Sequence, residues 1–178
     1  MPTPTTLPGS YTSGDVLTAA SMNNLRGAFR ILQVEQAAKL DTFSLASSTF
    51  TDITGLSVTI TPYSNTSKFL LFAQINVGAS SQGAQLRFQG GNSGNYVGDT
   101  AGSRIRVATE AYISDAQFMD EVTMMYLDSP ATASAITYKV QIRNQAAAQI
   151  YVNRSHTDTD NANHARAASS LIVCEVSA

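Results

Sequence analysis

The stretch Leu56-Ser57-Val58-Thr59-Ile60-Thr61-Pro62 decides the fold class, because every second side chain is apolar and the run ends at a proline. A period of two predicts a β-strand that buries one face, and proline cannot continue the hydrogen-bonded ladder of a sheet. A second stretch alternates in the same way through Ile136, Tyr138, Val140 and Ile142. Together they indicate a protein built mainly from half-buried strands.

Further short strands are predicted on both sides of these two. The run 68–77 is almost continuously apolar, which predicts a central strand buried on both faces. Thr54-Gly55 indicates a turn that separates a strand at 50–53 from the one at 56–60, and 90–94 is predicted as the tip of a hairpin. The strand at 149–153 is expected to pair with the strand at 136–142 across Asn144-Gln145. The remaining predicted strands lie at 31–38, 43–45, 84–89, 95–98, 105–108, 112–114, 121–127 and 170–176.

The stretches 105–108 and 112–114 are weaker than the others, so together they predict roughly nine to eleven strands in an all-β domain over residues 31–178, and their spacing is typical of sandwiches and barrels. No long helices alternate with the strands in the pattern, which argues against a parallel α/β fold. We therefore expect an antiparallel, jelly-roll-like sandwich.

The N-terminal part differs in character. Residues 1–14 contain three prolines and two glycines, and they predict an extended arm. Residues 15–30 predict one short helix, for which Asp15 or Thr18 could form the N-cap. A stripe with a spacing of three, four and three residues consists of Met22, Leu25, Phe29 and Leu32. Two interpretations stay open: the stripe packs on the chain's own sheet, or it forms an oligomer seam between identical helices.

The composition restricts the function classes. The 178 residues carry a net charge of -2, and only 13% of them are charged, which is about half the usual share. Roughly a fifth are Ser or Thr, so the surface is polar mainly through hydroxyl and amide groups. Neither a basic nucleic-acid surface nor membrane insertion is expected. The N-terminal sequence has no signal-peptide pattern, so we expect synthesis in the cytosol.

Catalytic motifs are not evident in the sequence. The Gly-x-Ser-x-Gly and phosphate-binding glycine patterns do not occur. Cys174 lies in an apolar run, which predicts a buried small hydrophobic residue. Asp115, Asp120 and Glu121 are close in sequence, but nothing sets the defined separation that a catalytic acid and base need. We expect a protein that is not an enzyme and that uses no cofactor.

One loop contains both histidines and a group of oxygen-rich side chains. Asp158-Thr159-Asp160-Asn161 begins like a calcium loop, but Asn163 stands where a glycine is needed and Ser169 where a glutamate would close the site. With two histidines and one cysteine, zinc is not expected either. The loop is interpreted as solvated and held by Asx turns, or as a surface that binds a glycan or a protein. The candidate binding residues are His156, Asp158, Asp160, Asn161 and His164.

A surplus of apolar residues marks the predicted strand at 121–127. Its alternation puts Met124 and Tyr126 on one face and Met125 and Leu127 on the other. One face can enter the core, and the other needs a cover, which is either a second subunit or the chain's own helix or loops. The candidate subunit-contact patch consists of Met119, Met124, Met125 and Tyr126.

Several stretches resemble known viral sequences. Residues 14–25, Gly-Asp-Val-Leu-Thr-Ala-Ala-Ser-Met-Asn-Asn-Leu, are similar to the N-terminal segment of many bacteriophage structural and fibre-type proteins. A β module that recurs in phages of aquatic bacteria resembles 41–43 and 50–62 (Phe-Thr-Asp-Ile-Thr-Gly-Leu-Ser-Val-Thr-Ile-Thr-Pro). It also resembles 126–130, 137–141 and 151–155.

The resemblance implies a virion protein, made in the host cytoplasm, that forms a homo-oligomer, with a trimer among the symmetries it allows. The arm would contact other virion proteins, and the family has no catalytic residues to carry over. A tail or fibre component that contacts a host surface glycan or protein is the first interpretation. A capsid decoration protein that stabilises the shell is the second, and a glycan-binding or glycan-degrading domain is the third.

Overall fold

The computed structural model describes residues 31–177 together with Ser13, Gly14, Val16, Thr18 and Ala19. Almost all of the predicted arm and helix, including Met22, Leu25 and Phe29, therefore lies outside the described residues. Within them the chain forms a short 3₁₀ helix at Ser93–Asn95 and ten strands. The strands are β1 (Ile31–Lys39), β2 (Phe43–Leu45), β3 (Thr51–Ile60), β4 (Lys68–Gly78), β5 (Gln82–Gln89), β6 (Thr109–Ile113), β7 (Met119–Asp128), β8 (Ile136–Asn144), β9 (Ile150–Val152) and β10 (Ser169–Val176).

The first sheet is built around β4. β7 pairs with β4 along Phe69–Gly78, so β10 and β9 must both lie along the opposite edge of that strand. β10 pairs with the first part of β4, and β9 pairs with the end of β4. On their far sides, β1 pairs with β10, and β2 pairs with β9. The sheet is therefore four strands wide in the order β7, β4, β10, β1, with β9 and β2 continuing the lines of β10 and β1.

The second sheet has the strand order β3, β8, β5, β6, and all pairings in both sheets are antiparallel. The chain crosses between the sheets after β2, β3, β4, β6, β7 and β8. Two four-stranded antiparallel sheets connected in this interleaved way form a jelly roll. The predicted fold class is confirmed.

The core between the sheets contains the side chains that the alternating stretches predicted. Leu56, Val58 and Ile60 of β3 are buried, as is every second residue of β8 from Ile136 to Ile142. Burial of each large aliphatic or aromatic side chain contributes about 1.5–3 kcal/mol relative to exposure. The period of two in the sequence thus corresponds directly to the inner faces of the two sheets.

The predicted turn at Thr54-Gly55 is wrong, because the structure has one continuous strand, β3, in its place. Between the pairs Asp52–Gln141 and Ser57–Lys139, four residues of β3 lie opposite one residue of β8. Gly55 has a φ of 89°, which side chains other than glycine rarely adopt. The glycine therefore lets the chain bulge out of the ladder and rejoin it in the same direction.

The segment after β5 also differs from the prediction. Residues 95–98 and 105–108 are not strands, and β5 pairs with β6 at Thr109–Ile113. The glycine-rich stretch 90–94 leads into the 3₁₀ helix, since the backbone N–H of Ser93 and the Ser93 hydroxyl both donate to the Gly90 carbonyl. A hairpin at this position is therefore replaced by a long connection.

β9 does not pair with β8 as predicted, but with β2 and β4 in the other sheet. The side chain of Asn144 explains the change of direction. Its Oδ1 accepts hydrogen bonds from the backbone N–H groups of Ala146 (2.6 Å) and Ala148 (3.3 Å). These bonds form an Asx-type turn that carries the chain across to the first sheet.

β4 is central in its sheet, as predicted, but it is not buried on both faces. Phe69, Leu71 and Ile75 point into the core, whereas Phe72 is exposed on the outer face. No layer of the described residues covers that face. The continuous apolar run at 68–77 therefore supplies the core on one face of β4 and an exposed apolar surface on the other.

Candidate interaction surface

The outer face of the first sheet carries two adjacent rows of apolar side chains that cross all four strands. Residues paired directly across antiparallel strands point to the same face, so the pairing defines each row. One row consists of Leu127, Leu70, Cys174 and Val34, and the next of Met125, Phe72, Ile172 and Gln36. We call the seven apolar residues, all except Gln36, the apolar band.

Much of the apolar band is open to solvent. Met125 is 59% exposed, Leu127 48% and Phe72 37%, and Val34 is exposed as well. Contiguous apolar surface of this kind on a soluble domain is typical of an interaction site, whereas single exposed apolar residues are ordinary. The band is therefore a candidate interaction surface.

A mostly polar row borders the apolar band on one side, and it consists of Thr123, Gln74 and Ser170, with Ala38 at its end. Next to it, Gln74 Nε2 donates to Glu121 Oε2 over 2.7 Å. An open groove of about 760 Å³ lies over this part of the sheet, and Phe72, Met125 and Ile172 contribute to its lining.

The outer face of the second sheet is mostly polar, and several of its polar groups are paired, although Gln85 Oε1 and Arg143 Nε have no hydrogen-bond partner among the described residues. Lys139 Nζ lies 2.7 Å from Asp52 Oδ2, and Gln141 Nε2 donates to Asp52 Oδ1 over 2.7 Å. The Lys139 bond, followed by the Gln141 bond, lowers the pKa of Asp52. Arg87 covers the ring of Phe50 at 4.0 Å and donates to Gln141. The polar cluster around Asp52 on this face contrasts with the apolar band on the first sheet.

The four residues of the predicted subunit-contact patch do not share one surface. Met124 is buried in the core, and Tyr126 points inward, where its ring stacks on Tyr96 with 4.7 Å between ring centroids. Met119 is half-buried at the start of β7, and only Met125 belongs to the apolar band. The predicted alternation along this strand is confirmed, and it is the reason that the patch divides between two faces.

Leu32, the last residue of the predicted helical stripe, lies in β1 and is half-buried. It therefore cannot extend a helical stripe formed by Met22, Leu25 and Phe29. Most other residues of the apolar band were missed as a site by sequence reasoning. Their signal was nevertheless present, because the runs at 68–77 and 170–176 contain apolar residues at both odd and even positions.

The loop at 154–166 is held closed by charged groups. An isolated β-bridge joins Arg154 to Arg166, and both arginines reach the same Oδ2 of Asp158, at 2.8 Å and 2.6 Å. The Arg154 guanidinium also lies 3.8 Å from the centre of the Tyr151 ring. The Asp158 carboxylate thus forms ion pairs with two arginines of the same chain.

Four of the five predicted binding residues in this loop come together. Asp158, Asp160, Asn161 and His164 line a small polar pocket of about 230 Å³. His156 is not part of it, since its ring packs edge-on against Tyr151 with 5.6 Å between centroids. Among the described residues no group of three or more His, Cys, Asp or Glu side chains could hold a metal ion. Binding at this loop stays a prediction.

Cys174 is buried, as predicted, although it lies on the outer face and forms part of the apolar band. Burial raises the pKa of its thiol, which keeps the sulfur protonated and apolar in character. None of the helices in the described part of the chain is long and apolar enough to cross a membrane.

No protein-family model and no curated protein matches the sequence. Among solved structures, the chain is similar to the structure of the infectious bursal disease virus Gx strain, at 16% identity and a TM-score of 0.37. It is also similar to the VP2 subviral particle of that virus, at 15% identity and a TM-score of 0.36. The matches cover 81% and 82% of this chain but only 37% and 38% of those chains. At these scores the jelly-roll assignment rests on the strand order, and no conclusion about function rests on the likeness.

Proposed function

We propose that the protein is a structural subunit of a virus particle and that it assembles with copies of itself through the apolar band. The single observation that carries the proposal is the contrast between the two outer faces. The face of the second sheet is mostly polar and carries a paired cluster around Asp52, whereas the apolar band leaves Met125, Leu127 and Phe72 open to water. Removal of such surface from water contributes about 25 cal/mol per Å².

The finer assignment is a tail or fibre component of a bacteriophage that attaches to the particle through its N-terminal arm. It is supported by the resemblance of residues 14–25 to phage structural proteins and by the proline-rich composition of residues 1–14. The jelly roll is used in viral capsids and lectins, which is a likeness of fold and not of site. In this proposal the loop at 154–166 contacts the host surface, and no residue has a catalytic role.

The oligomeric mass of the full chain tests the proposal. We expect the wild-type protein to be an oligomer by light scattering, and Met125→Asp combined with Leu127→Asp to give monomers, because two buried carboxylates would have no partners. The β-type circular dichroism should stay unchanged, since both side chains lie outside the core. Ile105→Asp, at an exposed apolar residue in a loop, is the matched control and should leave the mass unchanged.

A wild-type protein that is monomeric throughout, or a double variant with the wild-type mass, would contradict assembly through the apolar band. Antibody labelling of particles tests the finer assignment. Label confined to a tail or fibre supports it, whereas label spread over the shell would replace it with capsid decoration.

A further inference from the structure

We infer that β7 pairs with β7 of a second copy of this chain, antiparallel and about a two-fold axis at Met125, so that two first sheets join into one sheet of eight strands. The pairing, which rests on the proposed function, specifies how two copies meet. Three features carry it: the open edge of β7, the order of its side chains, and the limited size of the apolar band.

β7 is a long and regular edge strand. Its ten residues pair with β4 without a register shift, and no described residue forms a backbone hydrogen bond with its other side. In an antiparallel pair every second residue directs its N–H and C=O groups away from the partner strand. These groups allow another strand to continue the sheet, and main-chain hydrogen bonds supply the affinity of such a contact.

The other edge strands have features that oppose such pairing. β1 has a register shift between Ile31 and Gln33, and it ends at the buried charge of Lys39. β3 contains the bulge around Gly55, while β6 and β2 have only five and three residues. Bulges, inward charges and short length are usual means by which sheet edges avoid pairing. β7 contains no proline, lysine or bulge, so among the described edges it is the one suited to a partner strand.

The order of side chains along β7 fits a second β7. Directly opposed residues of an antiparallel pair point to the same face. With the two Met125 side chains opposed, Leu127 of each copy lies opposite Thr123 of the other, and all three positions are exposed on the outer face. The exposed acidic residues Asp120 and Glu121 then lie beyond the paired residues, and the two Glu121 residues are about 27 Å apart along the strands. The pairing therefore brings apolar groups together and keeps like charges apart.

The size of the apolar band supports this doubling. Four strands are about 19 Å wide, and two rows occupy about 14 Å along the strands, so one band covers roughly 270 Å². A stable interface buries about 800 Å² on each partner, so one band alone is too small. In the pair, the row that contains Leu127 continues into the row that contains Thr123 of the other copy. Three rows across eight strands then form a surface of about 38 Å by 20 Å, or roughly 760 Å², on which a second pair can assemble.

Disulfide trapping at single positions of β7 tests the pairing in the full chain. In a Cys174→Ser background, we expect Met125→Cys to form a disulfide dimer on a non-reducing gel. Opposed residues have Cα atoms about 4.5–5.5 Å apart, which lies within the range of about 4.4–6.8 Å that a disulfide needs. Thr123→Cys and Leu127→Cys are matched controls on the same face of the same strand. Each position would lie about 14 Å from its equivalent in the other copy, so neither variant alone should form the dimer.

A mixture of the two control variants tests the register. A Thr123→Cys chain and a Leu127→Cys chain lengthened by a tag are co-expressed and oxidised. We expect a dimer of mixed size, because these two positions face each other between copies. Absence of the Met125→Cys dimer, absence of the mixed dimer, or a disulfide between two Leu127→Cys chains would each overturn the pairing.

The oligomeric mass separates the pairing from the proposed function. Suppose that the wild-type chain is an oligomer and that Met125→Asp with Leu127→Asp dissociates it, while Met125→Cys forms no disulfide. The pairing of β7 then fails, and assembly through the apolar band stands. A wild-type chain that is monomeric throughout contradicts both.

Discussion

At the scale of single residues, a buried carboxylate organises one end of the sandwich. Asp128, at the end of β7, is fully buried, and its Oδ2 accepts hydrogen bonds from the Tyr138 hydroxyl (2.7 Å) and the Asn92 N–H (3.1 Å). Burial, reinforced by the bond to Asp128, raises the pKa of Tyr138 far above its ordinary value. The carboxylate thereby links the two sheets to the connection after β5.

A substitution at Gly91 tests how tightly the Asp128 carboxylate is packed. A Cβ at Gly91 would overlap Asp128 Oδ2, and the residue also has a φ of 52°. We expect Gly91→Ala to lower the free energy of unfolding by about 3 kcal/mol, because strain adds to the displacement of a buried charged group.

Gly102→Ala is the matched control for backbone strain. Gly102 has a φ of 61° but no atom within 4 Å of the added Cβ. The expected loss of unfolding free energy is therefore only about 1 kcal/mol. Urea denaturation measures both variants. Equal losses would show that the packing around Asp128 contributes nothing beyond the backbone conformation.

At the scale of elements, Asn153 bridges two interruptions in the first sheet. One lies between β9 and β10, and the other lies between β1 and β2. Asn153 is fully buried between β9 and β10, and its Nδ2 donates to the carbonyls of Lys39 (2.8 Å), which ends β1, and Asp41 (2.9 Å), which precedes β2. Its Oδ1 accepts from the Ser169 hydroxyl over 2.6 Å. The side chain thus supplies hydrogen bonds where the ladder of the sheet is interrupted.

We expect Asn153→Ala to destabilise the protein by about 3 kcal/mol or more, because several buried polar groups lose their partner at once. The backbone of Asn153 has a φ of 65°. This adds strain in the variant, since Asn tolerates the left-handed region better than Ala does. Asn161→Ala, in the exposed loop, is the control, and it should change the stability by less than about 0.5 kcal/mol. Equal shifts in thermal or urea unfolding would contradict this role of Asn153.

At the scale of the whole molecule, the nature of the apolar band predicts how assembly responds to salt. The band has no charged side chain, so screening cannot weaken it, and the Debye length falls from about 14 Å at 0.05 M to about 3 Å at 1 M ionic strength. We expect the oligomeric mass to stay constant over this range in sedimentation or light scattering. Dissociation at high salt would indicate that charge pairs hold the subunits together.

The inner and outer positions of the strands could be predicted from the sequence. Alternation in β3 and β8 identified the residues that reach the core, alternation in β7 separated its two faces without deciding which is buried, and the apolar run around Cys174 predicted its burial. The jelly-roll class followed from the number and spacing of such strands. These are local properties, because backbone geometry alone requires successive side chains in a strand to point to opposite faces.

Strand partners and the apolar band were decided only by the tertiary structure. Whether Gly55 makes a turn or a bulge, and whether β9 joins β8 or crosses to β2, depends on contacts with residues far away in sequence. The band likewise combines four strands, with Val34 beside Cys174 and Met125 beside Phe72. The register between distant strands sets such a surface, and a pattern within one strand does not contain that register.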